Sequence, residues 1–354
     1  MRALITGGAG FIGQHVARRL ADRWELTALD LLHPQVHLDP DGAVAAFPGG
    51  VEVGDVADAQ LWRRLDRPDL VVHLAAETGT AQSMYETERY RRVNVEGTRL
   101  AGEAARTWGV PLVALSSRAV YGEGQYHLAD GTTGTGVVDD PAAVPVASRE
   151  ADTHAPVSVY GETKSAGEAI LQPLAGHVPI GIIRPQNVIG PGQALHNPYT
   201  GVLAAFLARL REDRPLLVYG SGEQTRDFVH VSDLARTIDW MATRLLSTDR
   251  TDGPLVLNCG SGIRTTLNEL AQFAISGSPR TGVAVEHVEI RRAGDIIHAC
   301  ADLERTRELG APLPRVRPGD AVADFITWSW DRPGAASQAW DAALDELSGR
   351  GLTE

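Results

Sequence analysis

Cysteine is scarce in this sequence, and long hydrophobic runs are absent from it. The two cysteines, Cys259 and Cys300, cannot build a disulfide framework, and they have no spacing typical of zinc ligands. No apolar run approaches the roughly 18–20 residues that a membrane span needs. A strand pattern begins within three residues of Met1, so no signal peptide is expected. These features predict a soluble, cytoplasmic protein without a metal site.

Positive charge is also in short supply. The chain has 33 lysines and arginines against 45 aspartates and glutamates, which gives a formal net charge of −12. Such a surface repels phosphate, so the composition argues against nucleic acid and anionic membranes as partners. Any phosphate on a small ligand must then be bound locally, by backbone amides or by a few arginines. The hydrophobic fraction of 43% provides enough apolar material for a large core.

Short apolar runs alternate with helix-period segments through the first half of the chain. Candidate strands occupy residues 3–6, 26–29, 51–53, 70–74, 112–116 and 179–184, and candidate helices occupy residues 13–21, 59–65, 95–108 and 160–174. This alternation predicts an α/β fold with a doubly wound, mainly parallel Rossmann sheet covered on both faces. Residues 123–157 between these elements are rich in Gly, Thr, Asp, Ala and Pro and are predicted to form a long loop.

The composition changes after Arg184, where Gly, Pro and Arg become frequent. We therefore predict a first domain at residues 1–184 and a smaller lobe at residues 185–330 that is interleaved with the sheet. Residues 331–354 form a C-terminal tail whose function the pattern does not indicate.

A glycine-rich segment follows the first strand directly and opens a helix. Glycines at 7, 10 and 13 allow a tight turn, a close approach of the backbone to a pyrophosphate, and tight packing of the helix on the strand. Asp30 ends the second strand, where a carboxylate can accept both ribose hydroxyls and would repel a 2′-phosphate. Asp55 and Val56 end the third strand, where they could meet adenine. The pattern predicts NAD as cofactor.

Tyr160 and Lys164 lie four residues apart, on one face of a helix. A free phenol has a pKa of about 10, which is too high for a general base at neutral pH. A nearby ammonium group and a positive nicotinamide ring would favour the phenolate. Ser117 ends the preceding strand run, so its hydroxyl could bond the same substrate oxygen. These three residues are the predicted catalytic set, although the Tyr/Lys spacing alone is common on any helix.

Together, these motifs resemble the extended short-chain dehydrogenase/reductases, and within them the nucleotide-sugar epimerases and dehydratases. The resemblance extends from Met1 to about Trp330. The segments that carry it are residues 6–13, 73–76, 94, 116–122, 160 with 164, 184–192 and 226–229.

The resemblance implies an NAD-dependent enzyme whose substrate is a nucleotide-diphosphate sugar, and it implies a homodimer. It assigns NAD binding and the catalytic helix to the 1–184 domain and nucleotide-sugar binding to the 185–330 lobe. It adds to the cofactor-binding residues Phe11, Ile12, Leu74, Ala75, Ala76 and Asn94, beside Tyr160 and Lys164. It also implies that Asn187, Arg226 and Arg292 hold the diphosphate. Two further residues, Thr78 and Ser83, follow the fourth strand and could touch the hexose, although Ser83 could equally cap a helix.

Dehydratases of this family have an Asp-Glu pair directly after the catalytic Ser or Thr. Here the corresponding residues are Arg118 and Ala119, and neither can act as a general acid or base at pH 7. We therefore expect reversible oxidation at one carbon rather than loss of water. A reductase would more often use NADPH, which Asp30 disfavours. An epimerase needs only a retained NAD⁺.

Within the family, residues 76–86, 186–193 and 197–201 resemble the dTDP-L-rhamnose 4-epimerase-like group. The expected function is 4-epimerisation of a dTDP- or UDP-hexose, although Pro185, Ile189 and the 123–157 loop depart from the family pattern. Arg118 could instead pair with a carboxylate at C6, which leaves a UDP-uronate 4-epimerase open. A 4-ketoreductase acting on a nucleotide-linked 4-keto-6-deoxyhexose also stays open. A catalytically silent NAD-binding scaffold is disfavoured because both Tyr160 and Lys164 are present.

Overall fold

The computed structural model of the chain describes residues 1–136, 142–199, 201–247 and 252–353. Three parts of the predictions above lie outside the described residues: residues 137–141 of the long loop, Thr200 of the 197–201 segment and Glu354 of the C-terminal tail. Within the described ranges, no helix is both long enough and apolar enough to cross a membrane.

A seven-stranded parallel sheet forms the centre of the described structure. Its strands are β1 (Arg2–Thr6), β2 (Glu25–Asp30), β3 (Gly50–Val53), β4 (Leu70–His73), β5 (Leu112–Leu115), β9 (Ile180–Pro185) and β13 (Leu255–Cys259). They lie in the order β13-β9-β5-β4-β1-β2-β3. The chain adds β2 and β3 on one side of β1 and β4, β5, β9 and β13 on the other, so the strand order reverses between β1 and β4. Such a reversal opens a crevice at the carboxyl ends of these strands. The prediction of a doubly wound Rossmann sheet is therefore confirmed.

Helices cover both faces of this sheet because each presents an apolar stripe to it. Buried side chains of α1 (Phe11–Leu20) and α9 (Val231–Leu246) pack on one face. The other face is covered by α3 (Ala59–Arg64), α6 (Gly97–Trp108) and α7 (Val159–Leu171). Three shorter helices lie in the first hundred residues: α2 (Pro40–Ala45), α4 (Thr80–Ser83) and α5 (Thr87–Tyr90). A π-helix (Arg91–Glu96) leads into α6.

The second lobe has its own hydrophobic core, formed by α8 (Val202–Arg211), α10 (Leu267–Ser276) and α12 (Pro318–Ser329) with short strands. These strands are β10 (Asn187–Ile189), β11 (Leu216–Tyr219), β12 (Thr225–His230), β14 (Arg264–Thr266) and β15 (Val285–Val288). Two more helices, α11 (Glu304–Glu308) and α13 (Gln338–Gly349), complete this part of the chain. Because β13 returns to pair with β9, the residues after 184 contribute to the central sheet as well as to the lobe.

The predicted 123–157 loop contains a small antiparallel sheet that the sequence pattern did not indicate. Its strands are β6 (Gln125–His127), β7 (Thr133–Thr135) and β8 (Val144–Pro145), which pair in the order β7-β6-β8. Strands of two or three residues are too short to produce a hydrophobic alternation. The predicted helix at 160–174 likewise differs at its end. The α-helix ends at Leu171, two residues before Pro173, and the chain continues as a 3₁₀ helix (Gln172–Gly176).

Candidate active site

A cavity of about 1280 Å³ lies at the carboxyl edge of the central sheet, between the sheet and the second lobe. Its position fits the rule that ligands of doubly wound folds bind in the crevice where the strand order reverses. Nearly all of the predicted site residues line it. They are Gly7, Gly10, Phe11, Ile12, Gly13, Asp30, Asp55, Val56, Leu74, Ala75, Ala76, Thr78, Ser117, Arg118, Tyr160, Lys164, Asn187, Arg226 and Arg292.

The glycine-rich turn brings the amino end of α1 close to the strands. Gly7 has a φ of +67°, and a Cβ there would lie 2.9 Å from the backbone nitrogen of Ala75. A Cβ on Gly13 would lie 2.3 Å from the carbonyl oxygen of Gly7. No side chain caps α1, since its N-cap residue is Gly10. The uncapped amides of the first turn and the small residues around them can therefore receive a pyrophosphate.

Asp30 holds its carboxylate at the end of β2 through two backbone amides. Ala9 donates to Oδ2 over 3.0 Å and Leu32 donates to Oδ1 over 2.9 Å. Each oxygen keeps a lone pair for a further donor, so the carboxylate can still accept ribose hydroxyls. Asp55 accepts from the amide of Ala57 over 2.8 Å. The glycine cradle and the buried Asp30 fit NAD, and the negative charge of Asp30 disfavours a 2′-phosphate.

The catalytic candidates come together where β5 ends and α7 begins. Ser117 follows β5 and caps a single 3₁₀ turn (Arg118–Tyr121), with its Oγ accepting from the amide of Ala119 over 3.2 Å. The turn packs closely on α7, because a Cβ on Gly161 would lie 2.6 Å from the carbonyl oxygen of Ala119. This contact places the Tyr160 hydroxyl where the Ser117 side chain can hydrogen-bond to it.

The charges around Tyr160 differ from the sequence-based expectation. Burial raises the pKa of Tyr160, while hydrogen bonding from Ser117 and the positive charge of Arg118 lower it. The sequence assigned the lowering effect to Lys164, whose Nζ instead donates to the carbonyl oxygen of Leu115 over 2.9 Å. Burial lowers the pKa of Lys164 to about 8, and the charge of Glu168 opposes that shift. The difference arises from tertiary structure. Helical spacing predicts that Tyr160 and Lys164 share a face, but it does not predict which group the Lys164 ammonium contacts.

Two predicted ligand-binding residues lie behind the cavity wall rather than on it. Asn94 is buried, accepts from the amide of Glu77 over 2.8 Å and donates to the Oγ1 of Thr163 over 3.0 Å. Ser83 is fully buried, donates to the carbonyl of Thr80 over 2.6 Å and accepts from the amide of Tyr160 over 3.0 Å. Both side chains thus help to fix the position of α7. For Ser83, the contact with the first turn of α7 favours a helix-capping role over contact with the hexose.

The second lobe brings positively charged and polar groups to the cavity. Arg226 donates to the backbone carbonyls of Thr225, Ile296 and Ile297 over 2.6–2.9 Å, and burial lowers its pKa to about 10. Arg292 forms a bidentate ion pair with Asp295 at 2.8 and 3.2 Å. The Oδ1 of Asn187 is buried and has no hydrogen-bond partner among the described residues. Among the described residues, Arg226 therefore has a charge without a carboxylate in an ion pair with it, which suits an anionic ligand.

Sequence reasoning missed the buried ion pair between Glu168 and Arg184. The Nε and Nη2 of Arg184 donate to the two oxygens of Glu168 over 2.9 and 2.6 Å, and Ser116 also donates to Glu168. This pair joins α7, β9 and the end of β5 around the catalytic candidates. A signal was present, because Glu168 follows Lys164 by four residues and so shares the helix face of Tyr160 and Lys164.

Comparisons with known protein families and sequences point to epimerase-type proteins. Residues 3–260 match the family described as the NAD dependent epimerase/dehydratase family. The dTDP-L-rhamnose 4-epimerase of Burkholderia thailandensis is 38% identical, with 92% of this chain and 94% of that protein covered.

Solved structures are similar over nearly the whole chain. The UDP-glucose 4-epimerase of Thermotoga maritima with UDP-glucose has a TM-score of 0.76 and 27% identity, covering 93% of this chain and 98% of that one. MoeE5 in complex with UDP-glucuronic acid and NAD has a TM-score of 0.73 and 28% identity, covering 93% of this chain and 99% of the other.

Proposed function

The chain belongs to the NAD-dependent epimerase/dehydratase family of extended short-chain dehydrogenase/reductases, and from this premise we propose that it is a nucleotide-sugar 4-epimerase. NAD is its cofactor, as in the family. The proposed substrate is a dTDP- or UDP-hexose, with dTDP-L-rhamnose as the first candidate because of the 38% identity to a dTDP-L-rhamnose 4-epimerase.

The observation that carries this proposal is the chemistry of the two residues after Ser117. Arg118 and Ala119 occupy the positions where dehydratases of the family have acids, and a guanidinium stays protonated. The carboxyl groups near Arg118 are those of Glu123 and Asp295, and both already have hydrogen-bond partners. Glu123 accepts from the amide of Ile297 over 2.6 Å, and Asp295 is paired with Arg292. No free acid supports elimination at this place in the described structure, which favours oxidation and reduction at one carbon.

Tyr160 is the proposed general base and acid. Its phenolate takes the proton of the C4 hydroxyl as C4 is oxidised, and the phenol so formed returns the proton when C4 is reduced. NAD⁺ held by the glycine turn and Asp30 would supply reversible hydride acceptance at C4 and would end each turnover unchanged. Ser117 bonds the C4 oxygen and holds it against Tyr160. Lys164 is charged below a pH of about 8 and is proposed to bond the nicotinamide ribose.

Inversion requires the 4-keto sugar to turn over while the rest of the substrate stays in place. Arg226, Asn187 and Arg292 are proposed to anchor the diphosphate through this rotation. The charge of Arg226 has no carboxylate partner in the described structure, and Asn187 has an unpaired buried oxygen. Arg292 would have to share its guanidinium between Asp295 and a phosphate, which its five donors permit.

Proton NMR of the purified protein with dTDP-L-rhamnose and no added cofactor tests this function. A second anomeric signal that grows to a fixed ratio is the expected result, because an epimerase equilibrates two sugars with retained NAD⁺. Tyr160→Phe is the control, and it should lower turnover by a factor of about 10²–10⁴ while NAD stays bound. A product that has lost a sugar oxygen, or full activity of Tyr160→Phe, would contradict the proposal.

One observation favours a UDP-uronate 4-epimerase as a second candidate. Arg118 lines the cavity, and in the described residues its guanidinium has neither a hydrogen bond nor an ion pair. A carboxylate at C6 of the sugar would supply a bidentate partner. Arg118→Gln discriminates between the two candidates. With a uronate substrate kcat/KM should fall by roughly tenfold or more, as expected for a charged hydrogen bond, whereas turnover of dTDP-L-rhamnose should depend on Arg118 only through Tyr160.

A further inference from the structure

The C-terminal helix α13 forms one wall of the cavity, although it lies outside the residues that match the family. The residues that line the cavity from α13 share one helix face: Trp340, Asp341, Ala343, Leu344 and Leu347. After the helix, the chain pairs with the segment of Arg292. The amide of Ala293 donates to the carbonyl of Leu352 over 2.9 Å, and Arg292 forms an antiparallel bridge with Thr353. The helix therefore lies beside the proposed diphosphate anchor.

Contacts at both ends hold α13 in this place. Near its start, Asp341 accepts from Arg209 over 2.7 Å, and the Arg209 side chain on α8 is only 8% exposed. Near its end, Glu346 accepts from the hydroxyl of Tyr199 over 2.7 Å. Arg350, just beyond the helix, lies 4.2 Å from the ring centre of Tyr85. The helix thus bridges the second lobe and the segment that follows β4.

Trp340 carries a polar group that the protein does not satisfy. Its indole Nε1 is shielded from solvent and has no hydrogen-bond acceptor among the described residues. Such a buried donor is costly unless a water or a ligand provides an acceptor. Tyr219 is close to the same wall, since both Asp341 and Arg292 influence its pKa, and the guanidinium of Arg292 lies 5.5 Å from its ring centre. This end of the cavity therefore combines two aromatic residues with an unused N–H.

The connectivity of the substrate defines what can reach this wall. A nucleotide sugar has its sugar at one end, its diphosphate in the middle and its base at the other. Tyr160 and Ser117 would take the sugar, and Arg226 and Arg292 would take the diphosphate. The base must then extend past the arginines, towards α13.

We propose that Trp340 binds the base of the substrate, with its indole N–H donating to a ring carbonyl oxygen of uracil or thymine. This inference rests on the proposed function, because it requires a nucleoside-diphosphate sugar in the cavity. Both pyrimidines carry two carbonyl acceptors, and a planar base suits a wall that contains aromatic rings. The contact is made equally in the ground state and the transition state, so it affects KM and leaves kcat unchanged.

Trp340→Phe tests this contact, since it keeps an aromatic ring and removes only the N–H donor. The matched control is Trp330→Phe, because Trp330 packs on the core of the second lobe and does not line the cavity. Calorimetric titration with UDP and with dTDP should show an increase in Kd of about fivefold for Trp340→Phe, the loss expected for one neutral hydrogen bond. Trp330→Phe should bind as the unmodified protein does. Trp340→Ala should weaken binding further while the melting temperature shows that it folds.

Nucleotide binding separates the failure of this inference from the failure of the proposed function. Equal Kd values for the unmodified protein, Trp340→Phe and Trp340→Ala would overturn the role of Trp340 and leave the epimerase proposal intact. If the unmodified protein binds neither UDP nor dTDP, the nucleotide-sugar substrate itself is wrong. In turnover assays, a fall in kcat of Trp340→Phe at saturating substrate, with KM unchanged, would also contradict a contact to the base.

Discussion

Burial and neighbouring side chains shift the pKa values of the proposed catalytic residues in opposite directions. Burial raises the pKa of Tyr160, although the proposed reaction needs its phenolate. Ser117 and Arg118 act in the opposite direction from the turn that follows β5. Lys164 loses its charge more easily than a free lysine, because burial lowers its pKa to about 8. The reactivity of the tyrosine thus depends on neighbours that lie far apart in the sequence.

Replacing Ser117 with alanine should move the acidic limb of the pH profile to higher pH. The hydrogen bond from Ser117 lowers the Tyr160 pKa, so its loss raises that pKa and more alkaline solution is needed to form the phenolate. At pH 7 the variant should therefore lose activity, and raising the pH should restore part of it until Lys164 deprotonates near a pH of about 8. The measurement is kcat/KM against pH.

Ser116→Ala is the control for that profile. Ser116 ends the same strand run, but its hydroxyl donates to Glu168 rather than to Tyr160. The acidic limb of the Ser116→Ala profile should lie at the same pH as that of the unmodified enzyme. An acidic limb that does not move in Ser117→Ala would show that Ser117 has no part in the ionisation of Tyr160.

At the scale of elements, the sequence predicted what depends on local order. The alternation of strands and helices, the glycine turn after β1 and the common face of Tyr160 and Lys164 follow from short-range periodicity. The place of β13 in the central sheet did not, because β13 pairs with β9 across about seventy residues of chain. The docking of α13 could not be predicted either, because it involves an ion pair between Arg209 and Asp341, which are 132 residues apart. A single Trp340 on an amphipathic helix gives no indication of a ligand in the sequence.

Gly13→Ala tests the cradle formed by β1 and α1. The new Cβ would lie 2.3 Å from the Gly7 carbonyl oxygen, so α1 must move away from the turn that faces the pyrophosphate. We expect a loss of stability of about 1–3 kcal/mol and a loss of bound NAD. Melting temperature and the NAD content of the purified protein measure the two effects.

Gly50→Ala is the matched substitution outside the cradle. A Cβ at Gly50 in β3 would meet no heavy atom within 4 Å, so NAD content and melting temperature should be unchanged. If Gly13→Ala also kept its NAD, the close approach of α1 to the strand would not be what the cofactor requires.

At the scale of the whole molecule, the cavity is closed by parts of the chain that lie far apart. The sheet supplies the glycine turn and Asp30, the second lobe supplies Arg226, and α13 closes the end beside Arg292. Two side chains of α13, Ala343 and Leu347, are buried, and its ion pairs Asp341–Arg209 and Glu346–Arg350 are partly exposed. Because few buried apolar contacts oppose local opening, we expect this helix to move when a nucleotide enters or leaves.

Asp341→Asn should loosen that wall while the rest of the fold stays intact. Arg209 is nearly buried and would lose its charged partner, whereas Asp341 is 41% exposed, so the cost should be only about 1 kcal/mol. Hydrogen exchange of residues 338–349 should then become faster, and KM for the nucleotide sugar should rise with little change in melting temperature. Asp345→Asn is the control, because Asp345 lies exposed on the same helix and has no ion pair among the described residues. Equal exchange in the two variants would mean that the Arg209–Asp341 pair does not hold α13 against the cavity, and that the helix is kept there by Ala343 and Leu347, which are buried.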